Sequence, residues 1–465
     1  MKLWAIVPEL IVAGACLPLV AGAGFARGRA RRLPVLFAIA ALAFAVAATI
    51  RMVHWSPVVL FDGTYVVDRL GSVFKITIEV GALITLLLLP DQFTADEVIP
   101  HAPAALMFAT AGAMALCSSA DLGLIVLFFE MMSLASYILA ALDRHSPRAH
   151  EAALKYFIFG ATALAVMAYG LTFVYGLTGS LDLAAIRHAL AHADGVWVAV
   201  AFTLVAVGYG FEITLVPLHF WSPDMFDGAT APVAGFVSVI PKVAAFAALV
   251  RFITVAIPSG ANGWNIALAV AAAITMTVGN IVALRQTTLK RLLAYSSIGQ
   301  AGYVLAVTAV VRTTPDATEA VTFYLLVYAF MNLAAFGIVA ATERAHGGDG
   351  IDALNGLGKT SPWAGAVLVV ALLSLAGIPP LGGFAGKILL LQAVIGGGMT
   401  WLAIIAILNM VVGLYYYAML AGRLYFEVPP SSASPSLDGF TAIAMAAATG
   451  ATLVLGVWPA FGLFR

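Results

Sequence analysis

The chain has 465 residues, 62% hydrophobic and only 10% charged, and its 23 basic and 23 acidic side chains cancel to a formal net charge of zero. So apolar a composition excludes a water-soluble globular domain of this length and reads as an all-α polytopic membrane protein. With no basic excess to neutralise phosphates, there is no argument for nucleic-acid binding.

At about 20 apolar residues per crossing, hydropathy predicts fourteen spans. They lie at 3–20, 33–53, 69–89, 102–119, 122–142, 152–176, 195–217, 231–252, 264–284, 292–311, 320–342, 362–378 continuing through a break to 397, 400–422 and 439–461. Lys2, an apolar run and Ala21-Gly22-Ala23 imitate a cleaved signal peptide, but Glu9 interrupts the run and the basic cluster Arg27, Arg29, Arg31 and Arg32 follows it. The first span is therefore expected to be retained. Loops with an outside N-terminus collect twelve basic residues on the cytoplasmic side: Arg27, Arg29, Arg31, Arg32, Arg144, Arg148, Arg285, Lys290, Arg291, Arg344, Lys359 and Arg423. Seven (Lys2, Arg51, Arg69, Arg187, Arg251, Arg312 and Arg465) fall on the other side, so both termini are expected outside. The longest polar connections, near 177–194 and 343–361, have room for a turn or a surface helix and little more.

Within the spans, ionisable residues demand explanation, because a charge at the bilayer centre costs roughly 2.5 to 3.5 kcal/mol even on translocon-insertion scales. Lys75 and Glu79, four residues apart in the third span, most simply neutralise each other. Glu130 has a full apolar turn before it; it is either a proton-holding group or a static glutamate bonded to a neighbouring helix. Lys155 follows Glu151 by four residues, a spacing that suits both an ion pair at a helix start and a proton carrier.

Glu212 stands just before Leu215-Val216-Pro217-Leu218-His219-Phe220-Trp221-Ser222-Pro223, whose prolines interrupt the seventh span. His219, inside that break, is either a proton relay or a satisfied structural group. Lys242 follows Ile240-Pro241 about ten residues from the nearer end of the eighth span, too deep for snorkelling to explain it well. Burial opposes charge on an amine and makes such a lysine a candidate proton carrier. Lys290 and Arg291 read as interfacial anchors, Gly377-Ile378-Pro379-Pro380-Leu381-Gly382-Gly383-Phe384 breaks the twelfth span, and Lys387 follows it. Tyr415, Tyr416 and Tyr417 read as packing or belt contacts.

Two broken helices five spans apart are what inverted repeats over spans four to eight and nine to thirteen produce; two ordinary proline kinks are the alternative. The repeat reading divides a single membrane domain, 1–465, into three N-terminal helices (1–95), a first repeat (100–255), a second repeat (262–424) and a last helix (438–465). Cys16 and Cys117 lie far apart with no CxxC, and neither a GxGxxG after a strand nor a GxxxxGK[ST] occurs. No iron-sulfur, zinc, dinucleotide or ATP site is therefore assigned to the chain.

Several segments together resemble a known family, the antiporter-like membrane subunits of proton-pumping NADH:quinone oxidoreductase (respiratory complex I), most closely its subunit N branch. They are Glu130, Glu151-Ala152-Ala153-Leu154-Lys155-Tyr156, Val216-Pro217-Leu218-His219-Phe220-Trp221-Ser222-Pro223-Asp224, and Ala231-Pro232-Val233 with Lys242. Lys290-Arg291-Leu292-Leu293-Ala294-Tyr295-Ser296-Ser297-Ile298 and Ala376-Gly377-Ile378-Pro379-Pro380-Leu381-Gly382-Gly383-Phe384-Ala385-Gly386-Lys387 continue the series in the family's order. The opening Pro8-Glu9-Leu10, the span count and the lack of a long lateral C-terminal helix resemble subunit N rather than the larger L and M.

The resemblance implies inverted repeats around a hydrated mid-membrane row of charges, and a proton relay built on Glu130, Lys155, Glu212, His219, Lys242 and Lys387. It implies no cofactor in this chain; NADH, FMN, iron-sulfur clusters and quinone belong to partner subunits. Expected neighbours are the antiporter-like subunit M and subunits K, J and A, in a bacterial inner membrane. A subunit of a multisubunit cation/proton antiporter, and a scaffold subunit that no longer pumps, are the alternatives. Two positions depart from the family pattern: Glu212 stands where a lysine is usual, and Gln300 where a histidine often follows the Tyr-Ser-Ser-Ile motif. Because Glu130 and Glu212 would repel if both were ionised and close, Glu212 is expected to recruit Lys155 or Lys242 as counter-ion, lying nearer a lysine amine than Glu130 does.

Overall fold

A computed structural model of the chain describes residues 2–23, 32–92, 101–190, 195–258, 263–429, 435 and 437–458. Arg27, Arg29, Arg31 and Arg465, which entered the orientation count, lie outside the described residues. In chain order the elements are α1 Val7–Ala23, α2 Leu33–Met52, β1 Val58–Leu60, β2 Tyr65–Val67, α3 Arg69–Gln92, α4 Ala102–Ser118, α5 Leu122–Ala140, α6 Pro147–Thr178, α7 Leu183–Leu190, α8 Gly195–Glu212 and α9 Trp221–Gly228. They continue as α10 Ala231–Ala256, α11 Trp264–Ala283, α12 Leu289–Thr308, α13 Ala317–His346, α14 Leu357–Thr360, α15 Pro362–Ala376, α16 Gly382–Gly396, α17 Thr400–Phe426 and α18 Gly439–Val457.

Each of the fourteen expected spans meets a helix among the described residues. Among the described residues eleven helices, α1 counted with the 3-10 turn that starts at Leu3, are long and apolar enough to cross a membrane by themselves. The other three spans are α4, with 17 residues, α12, whose polar side chains lower its hydropathy, and the pair α15 and α16, which share one span. The apolar window of α10 is wholly buried and that of α13 is 89% buried, against 33% for α2 and 28% for α18. α10 and α13 therefore lie at the centre of the molecule together with most of α3, α4 and α12, while helices such as α2 and α18 turn apolar faces outward, as lipid-facing helices do. The hydropathy reading did not contain a small antiparallel hairpin, β1 with β2, pairing Val58 with Val67 and Leu60 with Tyr65.

Both predicted breaks are present. α8 ends at Glu212, the chain turns over Ile213–Phe220, and α9 resumes at Trp221, with the Val216–Pro217 peptide cis. α15 ends at Gly377, whose φ of +89° is a left-handed value that favours glycine, and whose N–H bonds back to the Leu373 and Ser374 carbonyls. α16 then starts at Gly382, after a cis Pro379–Pro380 peptide.

Of the helices that begin earlier than hydropathy suggested, capping explains two. Ser146 accepts the Ala149 N–H with Pro147 in the first turn, so α6 starts before the apolar run and carries Glu151 and Lys155 within its opening turns. Thr288 likewise caps α12 through Arg291 N–H, which places Lys290 and Arg291 on the helix.

Candidate functional site

Glu130, Lys155, Glu212, Lys242 and Lys387 fall into three clusters. In the first, Glu130 on α5 and Glu212 at the end of α8 line one cavity of about 10 Å³ with Ser133, Tyr137, Gly160 and Phe211. That volume is close to the smallest that holds a single water. Ser133 Oγ donates to Glu212 Oε1 at 2.5 Å, while Glu212 Oε2 and Glu130 Oε2 are buried without a hydrogen-bond partner among the described residues. Beside them Tyr156 stacks on Trp221 at 4.2 Å with 10° between the planes, so α6 and α9 close an aromatic wall over the cluster.

The expected counter-ion is missing. Among the described residues neither Glu130 nor Glu212 has a lysine or arginine nitrogen within 4 Å, so the recruitment of Lys155 or Lys242 is overturned. Both lysines are engaged elsewhere. Lys155 is drawn toward Asp224 at 2.7 Å and Glu151 at 2.8 Å, and Lys242 toward α12. Lys75 and Glu79 do not neutralise each other either: Lys75 pairs with Glu9 at 2.5 Å across α1 and α3, and Glu79 accepts from Thr49 at 2.7 Å.

The second cluster is half-exposed, where α6, α9 and α12 meet. Asp224 takes Lys155 on one oxygen and Arg291 at 2.9 Å on the other, with Asp227 at 3.9 Å from Arg291. Lys290, expected as an interfacial anchor, is instead buried, pairing with Glu343 at 2.8 Å and donating to the Ala229 carbonyl at 3.1 Å.

The third cluster lies against α12. Lys242, 2% exposed, donates to the Ser297 carbonyl at 3.1 Å and to Ser297 Oγ, which meets the Tyr328 hydroxyl at 2.7 Å. Lys387, 4% exposed, donates to the Leu375 carbonyl at 2.7 Å and the Ala376 carbonyl at 2.9 Å, with Tyr303 beneath its ammonium at 5.3 Å. Those carbonyls belong to the last turn of α15, where helical partners run out and the helix dipole is negative. The break in the twelfth span thus makes the acceptor site for Lys387. No carboxylate lies within 4 Å of either amine among the described residues.

Residues 119–413 match the family described as NADH:quinone oxidoreductase/Mrp antiporter, TM, a stretch that contains Glu130, Glu212, Lys242 and Lys387. The chain belongs to this family. It is 38% identical to the NADH-quinone oxidoreductase subunit N of Moorella thermoacetica, over 92% of this chain and 90% of that one. It is similar to a chain of respiratory complex I from Thermus thermophilus with bound aureothin at 33% identity and a TM-score of 0.84, over 98% of both chains. It also shares its fold with a chain of the Mrp complex from Dietzia sp., with a TM-score of 0.89 at 23% identity, covering 100% of this chain and 96% of that one.

On this antiporter-family fold, Lys242 and Lys387 come to the same helix, Glu130 and Glu212 come to one cavity, and Lys155 stands apart in the half-exposed ion cluster. His219 is buried in the first break with its ring 4.5 Å from Phe220, and is hydrogen-bonded to none of the five charged candidates. The sequence reading missed Asp224 and Arg291 as a pair, Ser297 as the partner of Lys242, and Tyr416 and Tyr417 as buried hydroxyls. Tyr416 donates to Asn280 at 3.0 Å and Tyr417 meets Ser296 at 2.5 Å, whereas Tyr415 is exposed. A hydroxyl row at Ser296 and Ser297 beside buried tyrosines was the available signal for the last three.

Proposed function

We propose that the chain is subunit N of a bacterial NADH:quinone oxidoreductase and moves protons across the inner membrane as partner subunits oxidise NADH and reduce quinone. The observation that carries this reading is the way Lys242 and Lys387 are held. A buried ion pair is a static answer to a charge in lipid, and breaking it leaves an expensive orphan. An amine held by carbonyl and hydroxyl oxygens gains or gives up a proton without breaking an ion pair.

In this account protons enter from the cytoplasm at the mouth formed by Lys155, Asp224 and Arg291, pass to Lys242, and leave outside by way of Lys387. Glu130 and Glu212 bias that transfer by the charge they hold, and His219 is a relay at the first break. NADH, FMN, the iron-sulfur clusters and quinone sit in partner subunits, and subunits M, K, J and A are the neighbours within the membrane. Both termini lie outside, and 100–255 and 262–424 are inverted repeats, each with its own broken helix.

A cation/proton antiporter subunit has the same fold, but the likeness to the Mrp chain at 23% identity speaks for the fold alone. Identity of 38% over nine-tenths of the chain to a subunit N favours the oxidoreductase. Purifying the tagged chain from its own bacterium tests the choice. The expected result is a complex that oxidises NADH, reduces quinone and acidifies proteoliposomes when NADH is added. A complex that exchanges sodium for protons and lacks dehydrogenase subunits would overturn it.

A further inference from the structure

Gln300 lies one turn beyond Ser297 on α12 and is 3% exposed. Its amide nitrogen donates to the Leu375 carbonyl at 3.2 Å and to the Tyr417 hydroxyl at 3.1 Å, and its amide oxygen accepts from the Tyr324 hydroxyl. Both N–H donors are therefore in use. The Leu375 carbonyl is the shared point, because it also accepts from Lys387 at 2.7 Å. A carbonyl oxygen has two lone pairs, so Gln300 and Lys387 between them fill it.

This places the two buried lysines at opposite ends of one short series of contacts. Lys242 rests on Ser297, Ser297 and Gln300 stand a turn apart on the same helix, and Gln300 shares its carbonyl with Lys387. The amide in the middle transmits geometry but does not hand on protons. To do so its nitrogen would have to lose a hydrogen while its oxygen gained one, an imidic-acid form that the three bonds seen here oppose.

We infer that Gln300 is a positioning residue: it fixes the Leu375 carbonyl beneath Lys387 and ties that carbonyl to α12, on which Lys242 rests, without passing a proton between the two lysines. The inference rests on the reading of Lys242 and Lys387 as proton carriers. Loss of the amide leaves the carbonyl to Lys387 alone and takes one partner each from the Tyr324 and Tyr417 hydroxyls, of which Tyr417 keeps Ser296. Retention of a donor at the same place keeps the carbonyl anchored.

The test is NADH-driven proton uptake by proteoliposomes of the whole complex carrying Gln300→Leu, Gln300→His or, as control, Lys242→Ala, followed through the neutral pH range. Gln300→Leu keeps much of the volume and removes both donors; coupled turnover is expected to fall about tenfold, the upper end of what one neutral hydrogen bond supplies. Gln300→His supplies a ring N–H, so it is expected to recover most of that loss and to displace the pH profile, because imidazole titrates in this range. If Gln300→Leu fails to assemble, Gln300→Asn replaces it, since an amide one methylene shorter no longer spans to Leu375. Wild-type rate and pH profile in the leucine or asparagine variant would overturn the inference, as would a histidine variant no better than leucine. A defective Lys242→Ala beside an unaffected Gln300→Leu would sink the positioning role alone, whereas a Lys242→Ala that pumps normally would remove the reading of Lys242 as a proton carrier.

Discussion

Glu212 is 4% exposed, and one serine hydroxyl is its sole hydrogen-bond partner among the described residues. Leaving one oxygen of a buried carboxylate unmatched is costly, and Glu130 shares the same small cavity with an unmatched oxygen of its own. Two carboxyl groups so placed resist being ionised together, which makes the pair a unit whose charge responds to what approaches it. Glu212→Gln keeps an acceptor for Ser133 and removes the charge. If charge is what the pair supplies, this variant should assemble normally and lower coupled proton pumping about tenfold, a 1.4 kcal/mol change in the barrier. Wild-type pumping by Glu212→Gln would show that the hydrogen bond, not the charge, is the working feature. The absence of a lysine at this pair could not be read from the sequence. Which amine reaches which carboxylate is decided by the approach of α9 and α12, helices separated by tens of residues from α5.

At the scale of elements, capping and breaking residues act locally and were therefore legible. Proline marked both interruptions, with glycine beside it in the second, and the helix starts at Ser146 and Thr288 follow from side-chain caps that an apolar-window reading overlooks. The return from α15 to α16 is tight. A methyl group on Gly383 would sit inside the van der Waals radius of the Ser374 carbonyl, whose residue also takes the Gly383 N–H on its hydroxyl at 3.0 Å. Gly383→Ala should cost about 2 kcal/mol or more by overpacking and displace the Lys387 carbonyls. A melting temperature equal to wild type in detergent would contradict this.

The junction of α3 with α10 offers a pH test. Asp68, which precedes α3, receives two 2.8 Å bonds from Arg251. Burial pushes its carboxyl up, but the Arg251 bonds and charge, helped by the Gly71 N–H and Lys75, outweigh this and hold it below the ordinary range. A carboxyl lowered in the folded state contributes stability that is full above the unfolded value of about 3.9 and is lost as pH falls toward the folded one. Asp68→Asn should therefore cost roughly 3 kcal/mol at neutral pH and flatten the acid limb of a melting-temperature profile. An unchanged acid limb would assign that loss to other groups.

At the scale of the whole molecule, hydropathy alone reaches the helical class and the fourteen crossings, because lipid forces backbone bonds inside each span and fixes its length. It does not reach the partition of roles. Lys242 and Lys387 read as isolated charges 145 positions apart, and only the packing of α10, α15 and α16 around α12 makes them ends of one polar row. Lys155, which sequence spacing joined to Glu151, proves to be also one of two cations on Asp224 in a half-exposed ion cluster. The central claim is that the amine of Lys242 carries protons. Its most direct test is NADH-driven proton pumping by the purified complex with Lys242→Ala, with subunit composition checked in the same preparation. The account predicts an intact complex whose coupled pumping drops about tenfold or more, by the reasoning used for Glu212. An intact complex that pumps at the wild-type rate would contradict it.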